Sequence, residues 1–108
     1  MNYTTVKASK PGQPLPKLEK RTSDSKIFQI DCTELLALGE LIFGEPTVKP
    51  VQDLEITEVV TRQGKYIQFR ASKGPVNMPF VEYQVKFVVA TTAQNSISVP
   101  VIVKVYSD

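Results

Sequence analysis

The 108-residue chain contains no histidine, no tryptophan and a single cysteine, Cys32. Without histidine it lacks the commonest general base and the commonest nitrogen ligand for metals. One cysteine excludes an intrachain disulfide or a cysteine-rich zinc site. No run approaches the roughly 18 apolar residues that a spanning helix needs, so no membrane partner is expected. The opening Met1–Thr5 lacks the basic-then-apolar order of a secretory signal. Charge of one sign is also scarce: 13 Lys and Arg stand against 11 Asp and Glu, a net +2. That falls short of the basic excess of a dedicated nucleic-acid binder. What remains is a small soluble domain, alone or with an arm, expected to be non-enzymatic and to need no cofactor or metal.

The charge is unevenly spread. Residues 1–26 hold Lys7, Lys10, Lys17, Lys20, Arg21 and Lys26 against Glu19 and Asp24, whereas residues 27–108 are slightly acidic. The first segment also carries Pro11, Pro14 and Pro16 with Gly12 beside them. Proline fixes φ and has no N–H, so this spacing excludes a regular helix or central strand there. Residues 1–26 are therefore expected to be an extended, basic N-terminal arm, flexible in isolation, and residues 27–108 a separate body.

From Lys26 onward the apolar period becomes two. Ile27, Phe28 and Ile30 predict a short strand. Asp31 and Thr33 offer capping oxygens for about one helical turn over Leu35–Leu38, which Gly39 stops. Glu40–Phe43 predicts a second strand, ended by Gly44 and Pro46. Leu54–Arg62 and Lys65–Ala71 predict a hairpin about Gln63-Gly64. Tyr83, Val85, Phe87 and Val89 alternate with Glu82, Gln84 and Lys86, and Ile97, Val99, Val101, Val103 and Val105 continue the alternation after a turn at Ala93–Ser96. Each such strand has one buried and one wet face. Pro100 must sit at an edge or bulge. Some six short strands with no long helix predict an all-β fold, an antiparallel β-sandwich with an extended N-terminal arm, a small barrel being the alternative. The remaining core candidates are Phe28, Ile30, Leu38, Ile42, Ile56, Ile67 and Phe69.

Few residues suggest chemistry. Cys32 has no histidine to take its proton and reads as a small buried hydrophobe. Asp53, Glu55 and Glu58 cluster, but a hard cation needs six or more oxygens, and alternation turns Glu58 away from the other two, so a solvated strand face explains them better. Arg62, Lys65 and Arg70 with Tyr66 and Phe69 could stack on single-stranded nucleic acid. Tyr66 and Phe69 fall on opposite faces, however, and a charged edge that discourages aggregation explains the same residues.

Two segments suggest partners. Gly74–Phe80 is a loop carrying Val76, Met78 and Phe80, which must either fold onto the core or dock on a partner. The arm, laid along another protein, would set Lys7, Lys10, Lys17, Lys20 and Arg21 against acidic residues, with Tyr3, Val6, Leu15 and Leu18 as anchors. Its prolines reduce the entropy lost on docking. A plain disordered terminus is the competing reading.

Three stretches carry a resemblance. Ser25–Ile42 contains an opening strand, a short turn ending in Leu38-Gly39-Glu40, and a second strand. Tyr83–Thr92 looks like a penultimate strand, and Val101–Val105 like a closing one. Over residues 25–106 the pattern resembles the small immunoglobulin-like β-sandwich proteins of tailed-bacteriophage virions. The resemblance implies a structural role: a capsid decoration or cement subunit, or a tail, head–tail or fibre adaptor. It implies as partners the major capsid protein or another virion protein, and a homo-oligomer. It also implies a location on the capsid surface or head–tail region after synthesis in the host cytoplasm. A basic arm crossing several capsid subunits would staple them, each weak contact being multiplied by its neighbours. A nucleic-acid-binding module is the alternative of a different class, and the balanced charge argues against it.

Overall fold

The computed structural model describes residues 4–108, so the expected anchor Tyr3 lies outside the described residues. The period-two segments form eight strands: β1 (Thr4–Lys7), β2 (Lys17–Arg21), β3 (Lys26–Asp31), β4 (Ile42–Val48), β5 (Glu55–Arg62), β6 (Tyr66–Ser72), β7 (Phe80–Thr91) and β8 (Ser96–Tyr106). They make two four-stranded sheets, ordered β1-β3-β6-β5 and β2-β8-β7-β4, that pack as a sandwich.

The long β7–β8 hairpin follows the alternation. Its register runs from Phe80↔Tyr106 to Ala90↔Ser96. Val85, Phe87 and Val89 on β7 and Val99, Val101, Val103 and Val105 on β8 all point inward and are buried. The facing sheet contributes Phe28 and Ile30 from β3 and Ile67, Phe69 and Ala71 from β6. The Phe69 ring lies 5.7 Å from that of Phe28 on its own sheet and 4.9 Å from that of Phe87 on the other, so the tilted Phe69–Phe87 pair ties the two sheets together. Gln63 and Gly64 both have positive φ, and the Lys65 N–H reaches the Arg62 carbonyl at 3.1 Å, which closes the β5–β6 hairpin. The expected turn after β3 is a single 3-10 turn, Thr33–Leu35, started by the Asp31 carboxylate, which accepts from the Thr33 N–H at 3.0 Å and hydroxyl at 2.6 Å.

Four expectations need correction. The sheets are mixed, because β1 lies parallel to β3 and β2 parallel to β8. Residues 4–21 are consequently not a separable arm but supply one edge strand to each sheet. The prolines restrict only the connector between those strands, and the chain on either side is free to extend. The strand β4 does not end at Gly44. A register shift between Phe43 and Thr47 accommodates Gly44 and Pro46 as an irregularity on an edge strand, where a missing N–H is tolerated. Leu38, expected in the core, projects fully into solvent, because the turn ends at Leu35 and the chain swings outward before Gly39.

Candidate interaction surfaces

The loop between β6 and β7 is tied down by its neighbours. The Lys20 side chain is buried, and its ammonium donates to the Arg21 carbonyl at 2.6 Å and the Lys73 carbonyl at 2.6 Å. Desolvation holds its pKa below the usual lysine value, outweighing the attraction of Asp24 and Asp108. The Thr22 hydroxyl donates to the Pro75 carbonyl at 2.7 Å, and the Ser107 N–H to the Pro79 carbonyl at 3.0 Å. Gly74, at φ +152°, lets the backbone pass where a Cβ would stand 2.5 Å from a Val105 methyl.

Beyond this anchor three apolar side chains stand outward: Val76 is 79% exposed, Met78 56% and Phe80 49%. Phe80 opens β7 on the outer face of its sheet. Its ring lies 6.3 Å from that of Tyr106, and the Lys104 ammonium sits 4.4 Å from the Phe80 centroid and 5.1 Å from that of Tyr106. The Tyr106 hydroxyl donates to Glu19 at 2.7 Å. Of the sequence-predicted loop residues, Phe80 thus stands in an unforeseen aromatic and cationic group. An ordered apolar surface of this kind can bury a partner's side chains at little cost in loop entropy.

The predicted arm contacts are dispersed. Lys7 is exposed at the end of β1 and Lys10 on the connector. Lys17 and Arg21 are exposed on β2, on the other sheet, and Lys17 pairs with Glu82 at 2.8 Å. Leu18 and Lys20 are directed inward and are unavailable to a partner, a correction to their expected role. Their alternation with Lys17, Glu19 and Arg21 was the available signal, but it spans only five residues and three of those are basic.

Further exposed apolar side chains were missed. Leu38, Leu41, Phe43 and Val88 are all exposed. Ile42 is buried, so its strand neighbour Phe43 faces out, as alternation along β4 requires, while Leu41, just before β4, lies partly exposed over Gly64. Phe43 pairs with Ala90, at the far end of β7 from Phe80.

A groove of about 590 Å³ opens where the connector faces β8, with Lys10, Leu15, Leu35, Lys86, Ile97 and Ser98 among its walls. The connector is itself folded: the Gln13 N–H reaches the Lys10 carbonyl at 3.1 Å, the Lys10 N–H reaches Gln13 Oε1 at 3.0 Å, and Ser9 bonds the Pro14 carbonyl.

The other candidates are absorbed by the fold. Cys32 is buried, and desolvation pushes its thiol up to about 12. Glu58 pairs with Arg70, and Glu55 with Lys73 at 3.3 Å. Phe69 is in the core, so it cannot stack on nucleic acid with Tyr66. Among the described residues no three His, Cys, Asp or Glu side chains are grouped to hold a metal, and no helix is long and apolar enough to cross a membrane. No protein-family model matches the chain, and no curated protein and no solved structure matches it.

Proposed function

We propose that the chain is a non-enzymatic structural subunit of a virion, a capsid decoration or cement protein that seats on the major capsid protein or on a sister subunit through Val76, Met78 and Phe80. The observation that carries this reading is the presentation of three sizeable apolar side chains on a loop held in place by Lys20, Thr22 and Ser107. Free apolar surface on a fixed support is what an assembly contact needs. The immunoglobulin-like character draws support from the strand order. β1-β3-β6-β5 against β8-β7-β4 follows the order of a constant-type immunoglobulin sandwich, with β2 added beside β8 and with β1 parallel to β3 as a variation of its own. Arg21, opposite Tyr106 on β2, remains as a flanking contact, whereas Lys7 and Lys10 lie toward the other end of the sandwich.

A tail, head–tail or fibre adaptor is the second reading. It is favoured by exposed Phe43, opposite Ala90 at the other end of β7, since an adaptor needs two contact surfaces.

The test is to quantify the protein in purified particles from the lysate in which it is made, beside a variant carrying Val76→Ser, Met78→Ser and Phe80→Ser. Many wild-type copies per particle are expected, with the triple variant folded but left in the supernatant. A low, fixed number per particle would select the adaptor. Wild-type protein absent from particles, or a triple variant that loads equally well, would overturn the reading.

A further inference from the structure

The strand β8 is covered along only part of its length. On one side it pairs with β7 from Ser96 to Tyr106. On the other side β2 pairs only with Ile102–Tyr106, and the bond from the Ile102 N–H to the Pro16 carbonyl, 2.9 Å, marks where that cover begins. Because the Ile102 N–H points toward the β2 side, strand alternation directs the N–H and C=O groups of Ser96 and Ser98 and the C=O of Pro100 to that same side. Beyond Ile102 these groups meet no strand, and among the described residues no backbone bond joins them to the connector. Pro100, which has no N–H to leave unpaired, sits on this open stretch. The edge from Ser96 to Pro100 is about 14 Å long at ~3.4 Å per residue.

This edge forms one side of the 590 Å³ groove, and the self-bonded connector forms the other. Leu15, Leu35 and Ile97 supply apolar wall. The only charged lining groups are Lys10 and Lys86, and neither is ion-paired among the described residues. A strand edge with free donors and acceptors, an apolar inner wall and two cations calls for an extended polypeptide.

We propose that Ser96–Pro100 is a strand-addition site for an extended acidic segment of a partner protein. The segment extends the sheet along the line of β2, sets apolar side chains toward Leu15, Leu35 and Ile97, and sets alternate carboxylates toward Lys10 and Lys86. A second copy of this chain is disfavoured as occupant, because pairing two such edges would bring four lysines together. The proposal does not rest on the virion reading, since the groove lies along the Ser96 end of β8 and the Val76–Phe80 loop beside its Tyr106 end.

The test titrates the whole protein with a synthetic peptide of alternating Glu and Val, with a block-ordered peptide of the same composition as control, while amide exchange is followed by NMR. The alternating peptide is expected to slow exchange at Ser96 and Ser98 and to bind more weakly as salt rises. Ser98→Pro removes the outward N–H without touching a bond to β7 and is expected to abolish binding while leaving the melting transition in place. Lys10→Glu with Lys86→Glu is expected to weaken binding about tenfold or more, two opposed charges being reversed. Binding that leaves Ser96 and Ser98 exchange unchanged is surface adsorption and overturns the proposal. So does equal binding of the block peptide, or binding that survives Ser98→Pro, or capture of a single-stranded oligonucleotide in place of the peptide.

Discussion

Leu18 distinguishes a strand from an arm. It is 1% exposed, stands opposite Val103 in the β2–β8 ladder and belongs to the main core. Leu18→Ala deletes three buried carbons, about 2.4 kcal/mol at ~0.8 kcal/mol per methylene. A cavity term adds to this. An edge strand can collapse partway into the space, so the total is about 3 kcal/mol, near the low end of core Leu→Ala changes. With a urea slope of roughly 1.2 kcal/mol/M for a domain of this size, the unfolding midpoint falls by about 2.5 M. The melting temperature falls by roughly 12 °C or more. Half-buried Leu15, replaced by Ala, serves as the control and is expected to cost under about 1 kcal/mol. Equilibrium urea unfolding followed by tyrosine fluorescence and circular dichroism measures both. A Leu18→Ala cost below about 0.5 kcal/mol would mean that residues 17–21 do not belong to the cooperative unit, and the assignment of β2 to the body would fail.

Two further perturbations follow from buried polar and thiol groups. Glu40 accepts from the Ala37 N–H at 2.9 Å, the Thr91 hydroxyl at 2.6 Å and the Asn95 amide at 3.0 Å, and these bonds, led by that from Thr91, hold its carboxyl below the usual glutamate value. A lowered folded pKa contributes stability above the unfolded value and loses it as pH falls, so the wild type is expected to weaken between about pH 5 and 3. Glu40→Gln should be less stable at pH 7 and show a shallower acid slope, and parallel slopes in urea titrations would refute the role. Cys32, buried and raised to about 12, should react with a thiol reagent only on unfolding. Labelling of the native protein at the rate of a free thiol would contradict its place in the core.

Much of the body was legible in the residues. Strong alternation, as in Tyr83–Val89 and Ile97–Val105, determines which face is buried, because a one-residue slip would turn every valine to water. Gln63-Gly64 announced its hairpin because few residue pairs accept two positive φ values. The Val76–Phe80 loop was legible as a candidate surface because apolar side chains in a proline-bounded loop have no periodic place in a sheet. Leu38 was misjudged because a single turn carries no period from which to read a face.

The sequence by itself determined an all-β chain, its central strands, its valine and phenylalanine core, and the absence of a histidine-based site. Only the tertiary structure decided that residues 4–21 join the two sheets in parallel, that Lys20 lies inside holding the Lys73 carbonyl, and that β8 is left open from Ser96 to Pro100. The physical reason is locality. Side-chain alternation is written in neighbouring residues, whereas an edge strand is held by backbone bonds to residues some 86 positions away, as the Pro16 carbonyl is by the Ile102 N–H, and those bonds are indifferent to side-chain identity.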